Sequence, residues 1–381
     1  MKTALIFIIA TTFILNSCSQ KNANTSNSIN EIEINTNTIT NQANLSEFAN
    51  STRIIRLETN KNCLLGSVDQ LDFNNDTLLI LDKSLQQIVL FNIDGDFISK
   101  IHRLGKGPGE YTKILDFFVD SRHRINILTG FEILVFNNTG DFLFKRNLPF
   151  VATNAIYLSD SMIVFRKSWQ NYAKGVTENF ENKIAISDIN FSEFTYSYKF
   201  DLRNYDIGSL DFSRVFSKSK KRIFYFELFN DTIYEINNKK ITPYIFVNFG
   251  KRKVPKEFFK LKRSELINNM QAKQQIASSP HDYFETDRFR LFSYLYDGDL
   301  IYTVSNKRNN LVINTKKIIN DLNELPFNQP IAAKENDLFY YLTAYEVIEY
   351  RKQNVVSNLR NNLIINLNDN PILVDVKFKS K

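Results

Sequence analysis

The chain has 381 residues, of which 43% are hydrophobic and 13% aromatic, with 33 Phe and 17 Tyr against a single Trp. It can therefore bury a sizeable core, which excludes a disordered or low-complexity protein. A formal net charge of +7 would raise nucleic acid as a partner in a cytoplasmic protein, but the N-terminus argues for export and against that partner.

Lys2 is followed by an apolar and threonine stretch from Ala4 to Leu15, then by Leu15-Asn16-Ser17-Cys18. The stretch is about half the ~20 residues a helix needs to cross a bilayer, so it reads as the h-region of a signal peptide. A small residue before Cys18 fits a lipoprotein signal: residues 1–17 are expected to be removed and Cys18 to carry lipid, anchoring the chain to a membrane of the bacterial envelope. An ordinary secretory signal with an incidental cysteine is the plainer alternative. Only Cys63 would then remain, which excludes an intramolecular disulfide framework. No later apolar run approaches membrane-spanning length.

Residues 18–50 are rich in Asn, Ser and Thr without a sustained period, and read as a flexible tether. Residues 51–381 change to short apolar runs punctuated by Asn, Asp and Gly, the texture of many short strands. Ile88-Val89-Leu90-Phe91 leads into Asn92-Ile93-Asp94-Gly95-Asp96-Phe97, and Ile133-Leu134-Val135-Phe136 leads into Asn137-Asn138-Thr139-Gly140-Asp141-Phe142. Gly95 and Gly140 lie 45 positions apart, a spacing that matches one propeller blade. Weaker copies at residues 160–198, 223–249, 291–312 and 338–378 bring the count to about six, with Thr52 to Leu57 as the strand that completes the last blade. Pro255 to Ala277 has mixed three and four spacing of apolar residues and predicts a helical excursion. The fold expected is all-β: a six-bladed β-propeller with one helical excursion.

The run Arg56-Leu57-Glu58-Thr59, Leu65-Gly66, Ile80-Leu81-Asp82, Phe91 and Asp94-Gly95 leads into Leu104-Gly105-Lys106-Gly107-Pro108-Gly109-Glu110-Tyr111. Together with Phe229-Asn230-Asp231-Thr232-Ile233-Tyr234 and Asn370-Pro371-Ile372-Leu373, it resembles the six-bladed β-propeller lipoproteins of Bacteroides-type bacteria, relatives of the NHL-repeat propellers. The resemblance implies a fold and an envelope location, not an activity. Ser19-Gln20-Lys21-Asn22 lacks the acidic residues that often follow the cysteine in surface-displayed members, so the periplasmic face and the cell surface both stay open.

Three glycines in five residues let the backbone of Gly105, Lys106, Gly107, Gly109, Glu110 and Tyr111 approach a ligand closely and would place Lys106 and Glu110 at a propeller mouth. A tight connection between blades is the plainer reading. Trp169 and Tyr172 would stack on a sugar face, or serve as core. His102, His123 and His281 have no ligand spacing, so neither metal nor cofactor is expected. Asn92 to Asp96 echoes a calcium loop but has Ile101 where the bidentate glutamate would stand. The basic clusters at 218–222, 251–253 and 260–263 read as solvated faces, with an anionic glycan or lipid headgroup as the sharper alternative. Three functions fit: a binding or scaffold module for a glycan, peptide or partner protein; a glycan hydrolase or lyase; or a structural subunit of an envelope uptake assembly.

Overall fold

The computed structural model describes residues 29–159, 162–168, 179–200, 214–220, 222–262, 264–265, 268–269, 275–323, 325–354 and 363–380. Cys18, Trp169 and Tyr172 lie outside them.

The described chain opens with β1 (Asn30–Glu33), β2 (Ala43–Asn44) and β3 (Ala49–Arg56). Five four-strand blades follow in sequence order. Blade one is β4 (Gln70–Asn74), β5 (Thr77–Asp82), β6 (Gln87–Asn92) and β7 (Phe97–Ile101). Blade two is β8 (Asp116–Val119), β9 (Ile125–Leu128), β10 (Glu132–Phe136) and β11 (Phe142–Asn147). Blade three is β12 (Ala152–Ser159), β13 (Met162–Lys167), β14 (Asn182–Asp188) and β15 (Phe194–Lys199). Blade four is β16 (Phe216–Ser219), β17 (Arg222–Tyr225), β18 (Thr232–Asn237) and β19 (Lys240–Asn248). Blade five is β20 (His281–Glu285), β21 (Phe289–Tyr296), β22 (Asp299–Asn306) and β23 (Val312–Thr315), after which comes the short β24 (Ile318–Ile319). Blade six combines both ends of the chain, in the order β25 (Ala332–Lys334), β26 (Asp337–Leu342), β27 (Ile372–Phe378) and then β3. This is the six-bladed propeller expected from the 45-residue unit.

Apolar runs such as Leu78-Leu79-Ile80-Leu81 are explained by burial on both sheet faces. Side chains alternate across a strand, so Leu78 and Ile80 join the core shared with blade six while Leu79 and Leu81 join the core shared with blade two. Similar layers fill the remaining gaps between blades. The two repeat turns are alike in detail: Asn92 Oδ1 accepts from Asp96 N at 2.8 Å and Asn137 Oδ1 from Asp141 N at 2.8 Å. At Gly95, with φ of +98°, an added Cβ would fall 2.0 Å from the Arg56 carbonyl oxygen.

Two details differ from expectation. From Asn30 onward the expected tether is strapped to the ring: β1 pairs in parallel with β19, and β2 with β24. Ile32 and Ile34 enter the core between blades four and five, and Leu45 and Phe48 the core between blades five and six. The apolar residues scattered among Asn and Thr thus seal the outer ends of the core, and β1 covers an edge that would otherwise be open. Residues 30–50 therefore belong to the ring and not to a tether. The excursion expected after Pro255 is helical where it is described: Lys256–Lys260 forms a 3-10 helix, with Phe258 packed against Phe229 and Ile276, and residues 264–265 and 268–269 are helical; Leu266, Ile267 and Met270 lie outside the described residues. The longest described helix, α1 (Ala344–Asn354), is instead inserted between β26 and β27. Its capping box was in the sequence: Glu346 N donates to Thr343 Oγ1, and Glu346 Oε2 accepts from Thr343 N.

The ring closes where β27 pairs antiparallel with β3, Ile372 opposite Arg56 through Phe378 opposite Ala49. The expected closing strand, Thr52 to Leu57, lies within or beside β3. Asn370, 4% exposed, fixes the joint. Its Nδ2 donates to the carbonyls of Glu58 (2.7 Å) and Cys63 (2.8 Å), and its Oδ1 accepts from Leu65 N at 2.9 Å. Asn370→Ala strands these buried groups, and the expected loss is about 2–3 kcal/mol of unfolding free energy in urea titration. A loss under about 0.5 kcal/mol, the scale of an ordinary surface change, would show that the joint does not depend on this amide.

Candidate functional site

Strands alternate in direction within each blade, so second-to-third connections and the links to the next blade share one face of the ring. Turns on the opposite face run from two residues, at 75–76, to five, at 120–124. Among the described residues, those of longer connections lie on the first face, including 57–69, 102–115 and the described parts of 249–280 and 343–371. The glycine-rich loop belongs to that face.

Inner strands converge on the axis and surround a cavity of about 130 Å³. Asp69, Asp72, Asp116, Arg214, Ser217 and Lys218 supply its polar wall, and Phe73, Phe118 and Phe284 supply rings. Asp116 begins β8 and ties blade two to blade three: Oδ2 accepts from Ala155 N at 2.9 Å and Oδ1 from Phe117 N at 2.8 Å. Burial pushes its carboxyl up to about 7, against the pull of those N–H groups and of Lys83. Burial also raises Asp72, opposed by Lys218. Ser217 Oγ, buried in the same wall, makes no hydrogen bond.

Arg214 stands where blades four, five and six meet. Nη1 donates to the Pro330 carbonyl at 2.9 Å and to Asp282 Oδ1 at 3.3 Å, and the guanidinium lies 5.3 Å from the Phe284 ring centroid. Burial depresses its pKa, while Asp282 and Asp116 favour the charge. Gln329 Nε2 completes the set by donating to Asp282 Oδ2 and to Ser293 Oγ. The adjacent His281, held below its usual range by burial, meets Ser278 Oγ at 3.2 Å. The arrangement offers a fixed cation, a carboxyl that exchanges its proton near neutrality and an unmet hydroxyl. Such a wall suits a polar ligand group entering from the mouth.

The glycine-rich loop does not reach this axis: neither Lys106 nor Glu110 lines the axial cavity. It borders an open groove of about 1060 Å³ along blade two, with Phe131, Phe142, Phe144 and Lys145 opposite. Glu110 folds back onto its own loop, where Oε2 accepts from Gly107 N at 2.8 Å, and a Cβ on Gly105 would fall 2.0 Å from that oxygen. Tyr111 OH lies 3.1 Å from the carbonyl oxygens of both Gln86 and Ile101, which share its one proton. These contacts make the loop a clasp between blades one and two as well as a groove wall. His123 Nδ1 contacts Asn74 Oδ1 at 2.7 Å. No metal-holding group of His, Cys, Asp or Glu occurs among the described residues, and no described helix is long and apolar enough to cross a membrane.

The axial residues were not legible as a set, because the cavity draws residues from inner strands as far apart in the chain as Asp69 and Ala333. Asp116 and Asp69 each sit at the start of an inner strand, the one local signal available.

A family profile described as "Domain of unknown function (DUF4934)" matches residues 29–377. The chain belongs to that family. Among solved structures, this DUF4934 chain is similar to a putative exported protein from Bacteroides fragilis NCTC 9343, at 20% identity and a TM-score of 0.75, covering 92% of this chain and 100% of that one. It is also similar to a member of the DUF4221 family from Bacteroides vulgatus ATCC 8482, at 15% identity and a TM-score of 0.49, covering 87% of this chain and 97% of that one. No curated protein matches. The first likeness shows the propeller fold, and no activity comes with it.

The raised folded-state value of Asp116 has a definite sign. The folded protein holds this proton when the unfolded chain has lost it, so stability falls as pH rises from about 4 to about 7, by up to about 1.4 kcal/mol per unit. Asp116→Asn is expected to flatten that decline in urea midpoints measured from pH 4.5 to 7.5. An unchanged slope would place the carboxyl's titration elsewhere.

Proposed function

We propose that this DUF4934 protein is a ligand-capturing module of the bacterial cell envelope, held to a membrane by lipid on Cys18, with the long-connection face of the propeller as its capture surface. The observation that carries the reading is the asymmetry of the ring: short turns on one face and the described longer connections on the other, above a polar axial cavity. Rigid blades holding variable loops are a general arrangement for binding. The Bacteroides neighbour's description as a putative exported protein supports the envelope location, and the NHL-like kinship belongs to the same proposal.

The ligand class is a glycan, a peptide or a partner protein that lies across the face and sends one polar group toward Arg214 and Asp116. At the axis, capture of one polar group is favoured over cleavage of an enclosed glycan, because about 130 Å³ is well below the ~300–1,000 Å³ of pockets that enclose small molecules.

Two measurements test the reading. Protein from residue 19 onward is screened by thermal shift and glycan array, with mass spectrometry of any glycan that binds. Saturable stabilisation without new products is expected, weakened at least tenfold by Arg214→Gln; product formation would replace capture with catalysis. In cells, Cys18→Ala is expected to abolish fatty-acid labelling and release the protein from membranes, and persistent labelling would overturn the anchor.

A further inference from the structure

Charge is unevenly spread over the short-turn face. At the ends of blades four and five, residues 218–222, 235–240, 285–290 and 307–311 hold ten Lys or Arg against three Asp or Glu. Each of the three carboxylates, counted as fully anionic, is already met: Glu285 by Arg222 (3.0 Å) and Lys307 (2.7 Å), Glu235 by Arg222 (2.8 Å), and Asp287 by Lys220. These pairs also tie the turns of the two blades into one surface. Lys218, Lys240 and Arg308 are exposed and make no ion pair among the described residues. Counting the groups that border the sector, Asp72, Glu193, Lys334, Glu335 and Asp337, still leaves an excess of four cations. The turns of blades one to three on the same face, at 93–96, 120–124, 137–141 and 188–193, hold six Asp or Glu and two Arg. The face is therefore polarised, basic on one side and acidic on the other.

The N-terminal strap meets the basic side. β19 runs from the 238–239 turn toward the long-connection face, and β1 lies parallel to it, Asn30 opposite Ile245 through Glu33 opposite Asn248. The N-terminal end of β1 thus points to the short-turn face, at the outer edge of blade four. Cys18 lies twelve positions before Asn30, a span of at most about 40 Å when extended. Excess positive charge and the entry of the chain coincide at blade four.

We propose that the short-turn ends of blades four and five rest on an anionic lipid bilayer, with the long-connection face turned away from the membrane. Turns of two to five residues make a shallow surface, from which several cations reach a plane of headgroups together. These cations stand on separate strand ends, which suits a fluid layer whose headgroups each move to meet one. The charge term acts without lipid on Cys18. The tether term rests on that lipid, which would hold the basic sector within reach of the headgroups and raise their local concentration. Docked in this way, the propeller presents its capture surface outward from the bilayer.

The test uses the mature-length chain carrying Cys18→Ser, which cannot be lipidated, and vesicles of phosphatidylcholine with or without about 30% phosphatidylglycerol. Co-sedimentation with the anionic vesicles only, weakening as salt rises, is the expected result. The triple variant Lys239→Glu/Lys240→Glu/Arg308→Glu is expected to lower partitioning at least tenfold with an unchanged thermal midpoint. Lys61→Glu/Lys106→Glu, on the long-connection face, should bind as the parent chain does. Absence of binding, equal binding to neutral vesicles, an unaffected triple variant, an equal loss in the long-face variant, or binding of soluble polygalacturonate without vesicle binding would overturn the proposal. Because the chain tested carries no lipid, such a failure leaves the Cys18 anchor standing, and failure of the anchor in cells leaves vesicle docking intact.

Discussion

Pairing of β3 with β27 is the constraint on which the rest of the ring depends. Each blade buries apolar side chains on both faces, so a blade without two neighbours exposes a core layer to water. An open ring would leave Leu78 and Ile80 of blade one facing solvent on one side of the gap, and Phe339 and Leu373 of blade six on the other. Closure therefore sets the stability of every layer, and the polar joint at Asn370 fixes where the last blade meets the first. The N-terminal strap serves the same end, because residues 30–48 run along blades four and five before delivering β3 to blade six.

Closure also shapes what the molecule can bind. Inner strands brought round an axis leave little room between them, so the axial cavity is small and Asp116 and Ser217 in its wall are buried. That burial, more than any neighbouring charge, raises Asp116 toward neutrality and depresses Arg214. In the proposed reading, ligand recognition is left to the long connections of one face, with the axial wall as a polar anchor beneath them.

Much of this was legible in advance where the signal is local. The turns around Gly95 and Gly140 repeat the same asparagine-centred hydrogen bonding, so a spacing of 45 positions correctly gave the blade. Illegible features were those in which composition and role part company. Residues 30–48 have the polar texture of a tether, yet Ile32, Ile34, Leu45 and Phe48 suffice to dock them. Lys106 and Glu110 sit in a loop whose glycines fit either a ligand at the mouth or a tight connection between blades, and Glu110 turns back to satisfy its own backbone.

By itself the sequence determined the strand texture, the repeat, the closing strand and the family resemblance, because each rests on neighbours in the chain or on a fixed period. Only the tertiary structure decided which carboxyl is buried, which face carries the long connections and which residues share the axis. Those properties arise from the convergence of Asp69, Asp116, Arg214 and Asp282 from different blades. No window of sequence contains that convergence, because ring closure, and not chain proximity, brings the four together.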